Sequence, residues 1–259
     1  MENSISEGSK NLPIKLQEVG IQEAEIRHHD RVDPHKRSSG LSDIILGGQD
    51  GIVNVLGVVL GVAAATQDTW VVMVAGLAAT FAESVSMAAV AYTSRLADAA
   101  YFEAEREREY RHILNAPNLE REEIRDIYAR KGFRGELLDK IVDTITANED
   151  VWVAVMMAEE HGLVPVERST ALRSALVVGV AAIIGSLIPL VPFIFLPVGI
   201  SMLVSIGLTA VVLFGVGVYK AKTMVGHPGK SGLEMAVIGT LSALVGYLIG
   251  VLLKAPQGG

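Results

Sequence analysis

Two aspartates lie inside the first long apolar stretch of the chain, where a purely structural membrane span would carry none. Asp43 and Asp50 are seven residues apart, so a helix places them on one face, two turns apart. An ionised aspartate deep in a span costs roughly 2.5–3.5 kcal/mol, so it needs a partner or a function. The spacing predicts part of an ion pathway. The structural alternative places Asp43 at the interface and makes Asp50 the cap of a glycine-rich kink.

A carboxylate and a thioether follow in the second apolar stretch. Glu83 and Met87 are i,i+4 neighbours and share a helix face. This donor pair suits a borderline-soft ion such as Fe²⁺ better than Mg²⁺ or Ca²⁺, which prefer oxygen alone. Met87 by itself is ordinary core filler, but Glu83 is a further acid inside the hydrocarbon. The pair therefore extends the predicted pathway.

Three acidic helix faces occur in the polar region between the second and third apolar stretches. Their members, at i,i+3, i,i+4 or i,i+7 spacing, are Glu105, Glu109, His112, Glu120, Glu123, Met156 and Glu160. Each face alone is typical of a solvated helix. Packed together, they would form an oxygen-rich site for a divalent cation. Thiolate ligands are excluded because the chain has no cysteine.

The pair Glu109 and His112 also has the Glu-x-x-His spacing of di-iron bundle proteins. A di-iron centre needs two such pairs and two further carboxylates, and the sequence offers only one pair. We therefore predict no catalytic residues and no organic cofactor, and a divalent ion that is bound rather than used for turnover.

Five apolar stretches are long enough to cross the hydrocarbon core, which takes roughly 20 residues each. They are residues 42–65, 70–93, 171–190, 197–219 and 233–253. They lack strand-like alternation, so we predict an all-α membrane protein with five transmembrane helices. A net charge of −7 in a chain that is 50% hydrophobic fits apolar spans joined to a separate acidic part. A soluble helical protein is excluded.

The polar segments divide the chain into four regions. They are a cytoplasmic N-terminal tail (1–40), spans one and two (41–97), a metal-binding insert (98–167), and spans three to five (168–259). The insert contains 17 acidic and 9 basic residues, so it holds more than half of the chain's 29 acids. Its composition is that of a polar domain outside the membrane.

We expect the insert to contain three helical regions. Span two continues without a break to Leu114, and Asn118 is the expected N-cap of a helix that ends at Gly132. A third region runs over residues 134–161, with a kink or break near Asn148. These helices would carry the three acidic faces.

The distribution of lysine and arginine predicts the orientation. Basic residues precede span one (Arg31, Lys36 and Arg37) and lie between spans four and five (Lys220, Lys222 and Lys230). The linkers at 67–69 and 191–196 have none. The positive-inside rule then places the N-terminus, the insert and the four–five loop in the cytoplasm. Lys254, at the opposite end, is a small violation.

This combination resembles the vacuolar iron transporter family over about residues 41–253. The matching stretches are SDIILGGQDG (42–51), Ser86-Met87, MMAEEHGL (156–163) and KSGLEM (230–235). The resemblance implies a homodimer in a lipid bilayer, with the path between the two copies of span one. It implies proton-coupled export of Fe²⁺ from the cytoplasm, with Mn²⁺, Co²⁺ and Zn²⁺ as further substrates. No nucleic acid is expected as a partner.

The resemblance also implies roles for individual residues. Asp43, Asp50 and Met87 would line the path. The family's metal-binding positions in the insert would be matched by Glu109, Glu120, Glu123, Met156 and Glu160. This chain departs from the pattern twice. His112 stands where a glutamate is expected, and Ala79 stands where the family has the glutamate of span two. Glu83, one turn closer to Met87, is the expected replacement.

Two other function classes remain open from the sequence. One is a membrane-tethered metal buffer or sensor, in which the insert binds iron and nothing crosses the membrane. The other is a membrane enzyme with a carboxylate-bound iron, against which the single Glu-x-x-His pair argues. Transport without added partners would exclude the first, and absence of ferroxidase turnover would exclude the second.

Overall fold

The computed structural model describes residues 40–223 and 226–253, and within these residues all regular structure is helical. The expected tail (1–40, apart from Gly40) and Lys254 lie outside the described residues. The helices are α1 Leu41–Thr66, α2 Thr69–Asn115, α3 Pro117–Arg130, α4 Gly135–Thr146, α5 Glu149–Glu159, α6 Thr170–Leu187, α7 Val191–Phe195, α8 Val198–Thr223 and α9 Pro228–Leu252.

Five segments of the described chain are long and apolar enough to cross a membrane. They are α1, the first part of α2, the segment from α6 to α7, α8 and α9. This confirms the predicted all-α fold with five candidate spans. The turn between the first two is tight because the Asp68 side chain accepts hydrogen bonds from the backbone N–H groups of Trp70 and Val71, which caps α2.

Helix α2 is one unbroken helix of 47 residues. Its first half is apolar, and its second half is rich in Glu and Arg. No proline or glycine interrupts it after Gly76, so the backbone hydrogen bonds continue from the membrane segment into the insert. The acidic face of the insert is therefore rigidly attached to the second span.

Helix α3 begins with Pro117, one residue after Ala116. Proline is favoured in a first turn because its missing N–H would have no helical partner there. The expectation that Asn118 is the N-cap is therefore wrong, since Asn118 lies inside the first turn. The region 134–161 is two helices, α4 and α5, and Asn148 caps α5 by accepting from the Val151 N–H.

The insert has its own apolar core. Its buried members come from α2, α3, α4 and α5 and include Phe102, Ile124, Val142, Trp152 and Met156. Arg121 on α3 also contacts Asp143 and Thr146 on α4, and Arg125 contacts Asp139. This core holds the ends of α2 and α5 close to the start of α3.

Helix α1 lies at the centre of the membrane bundle, and glycines allow its neighbours to approach closely. A methyl group added at Gly47 or Gly51 would overlap the backbone of α6, and one added at Gly246 or Gly250 would overlap the backbone of α1. Small residues permit such crossings in lipid. Helix α1 is continuous through its glycines, so they serve packing, and the structure has no break at Asp50.

The linker expected at 191–196 is mostly helical. A 3-10 turn over Ile188–Leu190 joins α6 to α7. On α8, the Ser205 hydroxyl donates to the Pro189 carbonyl, and the Ser201 hydroxyl donates to the Leu196 carbonyl. These bonds satisfy carbonyls in a segment where prolines remove N–H donors.

Candidate metal site and membrane path

Glu109 is the centre of a cluster of donor groups in the insert. The membrane-distal part of α2 presents this side chain, which is only 2% exposed. His161 Nε2 lies 3.1 Å from Glu109 Oε1, and His112 Nδ1 lies 3.5 Å from the same oxygen. One carboxylate oxygen thus faces two imidazoles from different parts of the chain.

Glu120, in the first turn of α3, closes the cluster on another side. Its Oε1 lies 3.6 Å from His112 Nδ1. Two overlapping groups have ligand atoms within 4.8 Å of one another, namely Glu109 with His112 and Glu120, and Glu109 with Glu160 and His161. Because Glu109 belongs to both groups, the five residues form one continuous set of oxygen and nitrogen donors.

Two carboxylate oxygens of this cluster are buried without a partner. Glu109 Oε2 and Glu120 Oε2 have no hydrogen bond to any of the described residues. A buried polar atom left unpaired costs about 1–3 kcal/mol, and more when it is charged. A proton or a bound cation would remove that cost. The cluster is therefore suited to hold one or the other.

The pKa values of the cluster favour an exchange between a bound proton and a bound cation. Burial and, after it, the neighbouring carboxylates of Glu123 and Glu109 together raise the pKa of Glu120 from 4.5 to about 7. Burial also raises the pKa of Glu160, again with a contribution from Glu123. These pKa shifts mean that protons compete for the site near neutral pH, and that a divalent cation would favour the ionised forms.

The structure brings four of the seven predicted insert residues together in these donor groups: Glu109, His112, Glu120 and Glu160. The Glu123 carboxylate lies near enough to Glu120 and Glu160 to raise the pKa of both groups. Glu105 instead accepts two hydrogen bonds of 2.8 Å from Arg108. Met156 is fully buried in the apolar core of the insert.

Sequence reasoning missed His161. The signal was present, because His161 directly follows Glu160 and precedes Gly162 at the end of α5. Gly162 has φ of +64°, a conformation that favours glycine. The Leu163 N–H then donates to the Met157 carbonyl at 2.9 Å. This turn ends the helix and places the His161 side chain against Glu109.

Asp43 lies at the insert end of α1 and has two polar neighbours. The Ser174 hydroxyl of α6 donates to Asp43 Oδ2 at 2.7 Å, and Arg95 Nη2 of α2 lies 3.6 Å from Oδ1. The Asp43 carboxylate therefore accepts a hydrogen bond from α6 and faces a guanidinium of α2. A partner cation at this point reduces the cost of an acid near the membrane surface.

Asp50 and Glu83 are linked by a third residue, Asn54. The Asn54 amide donates to Glu83 Oε1 at 2.5 Å and to Asp50 Oδ2 at 3.2 Å. Asn54 is therefore a bridge between the acids of the first two spans. Sequence reasoning missed it, although it lies four residues after Asp50 and on the same face as Asp43.

Ala79 and Glu83, one turn apart on α2, have different surroundings. Ala79 packs against the apolar cluster of Val55, Val59 and Val72, whereas Glu83 faces the polar pair on α1. Met87 lies one turn beyond Glu83 on the same face of α2 and is half-buried. The polar groups thus follow the α1–α2 boundary.

Comparison with known proteins gives a consistent result over most of the chain. A model of the VIT family matches residues 41–251. The chain is 30% identical to vacuolar iron transporter 1 of Oryza sativa subsp. japonica over 222 residues, which cover 85% of this chain and 88% of the relative. It is 32% identical to vacuolar iron transporter 2 of the same plant over 79% of this chain and 84% of the relative. A vacuolar iron transporter of Plasmodium falciparum (isolate 3D7) is 30% identical over 83% and 82%.

Proposed function

Because the chain belongs to the VIT family, we propose that it exports Fe²⁺ from the cytoplasm in exchange for protons. The family and its named members are transporters, so the chain is a metal ion transporter and not an enzyme. Its five apolar segments and its family make it an integral membrane protein. The direction of transport, the coupling to protons and further substrates such as Mn²⁺, Co²⁺ and Zn²⁺ are part of the proposal.

The observation that carries the proposal is the bridge of Asn54 between Asp50 and Glu83. Two acids from two spans approach one amide inside segments that are otherwise apolar. Such residues in a membrane mark ion and proton pathways. With Asp43 at the insert end of α1 and Met87 one turn beyond Glu83 on α2, they supply carboxylate, carbonyl and thioether donors, a set that suits Fe²⁺.

The insert acts as the receiving site. Glu109, Glu120 and Glu160 collect a divalent ion at the end of α2 and raise its concentration near Asp43. Glu123 adds negative charge, and Glu105 and Met156 support the site from its surroundings. Because α2 is continuous from the insert to Glu83, occupancy of the receiving site and the geometry of the path are mechanically connected.

Proton coupling follows from the chemistry of carboxylates. A carboxylate binds either a proton or a metal ion, so metal affinity falls as the group is protonated. Protons that enter from the far side displace Fe²⁺ from Asp50 and Glu83 and then leave toward the cytoplasm. The transported ion and the protons thus occupy the same groups in turn.

A second copy of the chain would complete the path. In the single copy, Asn54 is exposed and Asp50 and Glu83 are half-buried. Polar groups that face lipid are costly, so a homodimer that covers this face of α1 is favoured. The path would then lie between the two copies of α1, with two sets of acids facing each other.

The test is Fe²⁺ flux into liposomes that contain the purified protein, with and without a pH gradient. We expect flux that increases when the side opposite the insert is acidic. Asp50→Ala should lower the flux by more than about tenfold, because each lost contact to a charged group is worth about 1.5–3 kcal/mol. Glu136→Ala, which removes an exposed acid of α4, is the matched control and should transport normally.

Flux that ignores the pH gradient would refute proton coupling. Flux that is unchanged in Asp50→Ala would refute the proposed path. Fe²⁺ binding without any flux would favour the alternative of a membrane-tethered buffer or sensor.

A further inference from the structure

Two imidazoles flank the central carboxylate of the insert, and they come from separate elements. His112 is on α2, three residues after Glu109, and His161 lies in the turn after α5. Their nitrogens are 3.5 Å and 3.1 Å from Glu109 Oε1. His112 Nδ1 is also 3.6 Å from Glu120 Oε1. Each imidazole therefore lies beside the same Glu109 oxygen, His112 together with Glu120 and His161 together with Glu160.

We propose that His112 and His161 are ligands of the ion held by Glu109, and that these imidazoles make the insert select against Mn²⁺. The inference rests on the proposed function, in which the insert receives a divalent cation. It identifies the donor atoms that determine which of these cations binds most tightly.

The separations are those of ligands around an ion rather than of a complete hydrogen-bond network. Metal–ligand distances of about 2.0–2.2 Å place neighbouring ligand atoms about 3.0–3.6 Å apart. The two contacts of His112, at 3.5 Å and 3.6 Å, are too long for hydrogen bonds. The single 3.1 Å contact of His161 leaves Glu109 Oε2 buried and unpartnered among the described residues.

Imidazole donors change the order of metal affinities. Affinity for nitrogen and oxygen sites rises from Mn²⁺ through Fe²⁺ to Co²⁺. Carboxylate and water suit Mn²⁺, whereas imidazole suits Fe and Zn. A site built only of carboxylates would discriminate weakly between Mn²⁺ and Fe²⁺. Two nitrogen donors beside the carboxylates therefore lower the relative affinity for Mn²⁺.

The test measures binding of Co²⁺ and Mn²⁺ to the full-length protein in detergent. Co²⁺ stands for the later metals because it is stable in air. We expect the wild type to bind Co²⁺ more tightly than Mn²⁺. The double variant His112→Gln/His161→Gln should lose more than about tenfold in Co²⁺ affinity, since changes even to outer-shell partners cost 10–100-fold. Its Mn²⁺ affinity should change much less.

A spectroscopic measurement separates ligation from a structural role. Pulsed electron paramagnetic resonance of bound Mn²⁺ detects coupling to imidazole nitrogen. The coupling should be present in the wild type, absent in the double variant, and retained in His227→Gln. That control removes an exposed histidine at the start of α9. It leaves the chain with five of its six histidines, so it also tests for unspecific histidine binding.

Each outcome decides the inference. Nitrogen coupling that is absent in the wild type, or Co²⁺ affinity that is unchanged in the double variant, would overturn it. Nitrogen coupling together with a liposome assay that shows no flux would leave this inference standing and overturn the transport proposal. Flux without nitrogen coupling would overturn this inference and leave the transport proposal standing.

Discussion

Glu120 is a residue of the insert whose ionisation is strongly altered by the fold. Its pKa rises from 4.5 to about 7 because it is buried and surrounded by other carboxylates. Between these two values the folded insert holds a proton that the unfolded chain has released. Stability without metal should therefore fall as the pH rises from about 4.5 past 7. A divalent ion should reverse this loss, because it pairs with the ionised carboxylate.

Trp152 provides the measurement for this first prediction. It is buried in the core of the insert, and the only other tryptophan of the sequence is Trp70. In a Trp70→Phe background, the melting midpoint from Trp152 fluorescence should be lower at pH 8 than at pH 5 by about 5 °C or more in a chelator. Glu120→Gln should flatten this dependence. A midpoint that rises with pH would contradict the assignment.

A second prediction concerns Asn54. Asn54→Leu removes the amide that donates to Asp50 and Glu83 and leaves two acids without their shared donor. Fe²⁺ flux should fall by about tenfold or more, with normal expression and folding. Val58→Leu, one turn further along α1 and also exposed, should transport normally. Equal flux in the two variants would show that the bridge has no role.

At the scale of elements, the crossing of α1 and α9 depends on glycine. A methyl group at Gly250 would overlap the Gly61 carbonyl, and one at Gly246 would overlap Gly57. Two segments with glycines four residues apart, Gly57–Gly61 and Gly246–Gly250, therefore pack against each other. Their close approach fixes the position of α1, and with it the positions of Asp43, Asp50 and Asn54.

The third prediction follows from this crossing. Gly250→Ala should separate α9 from α1 and destabilise the protein by about 1–3 kcal/mol, the usual cost of overpacking. Gly215→Ala is the control, because no atom lies near a methyl group there, and alanine favours a helix interior. Thermal unfolding in detergent should give a lower midpoint for Gly250→Ala only. Equal midpoints would show that the crossing tolerates a side chain.

At the scale of the whole molecule, the insert and the proposed path share one continuous helix. The α2 helix connects them, and Asp43 lies at the insert end of the bundle with Arg95 and Ser174. In the proposed export, an ion that leaves the insert would therefore meet Asp43 before Asp50. The order of the sites along α1 and α2 is the order in which the proposed export would use them.

The fourth prediction tests the orientation of the whole chain. The sequence contains no cysteine, so single cysteines can be introduced without background. Glu136→Cys, in the insert, should react with a membrane-impermeant maleimide only from the cytoplasmic side. Thr66→Cys, at the opposite end of α1, should react only from the other side. The reverse pattern would contradict the positive-inside assignment.

Much of the fold followed from composition and spacing alone. The five spans are apolar runs, and their length is set by the membrane, so local sequence is enough to find them. A kink or break was expected near Asn148, and the structure has a break there, with Asn148 as the N-cap of α5. Asparagine favours such positions because its side chain competes for backbone hydrogen bonds. Asn118 failed as a cap because Pro117 already fits the first turn. Both positions depend only on neighbouring residues.

The sequence by itself determined that this protein is a helical membrane protein with acids in its first two spans and an acidic insert. Those properties depend on residue type and short-range periodicity. Only the tertiary structure decided which donors meet. Asn54, which also contacts Asp50, reaches Glu83 across 29 positions, and His161 reaches Glu109 across 52. Helix packing and one turn at Gly162 create these contacts, and no local pattern specifies them.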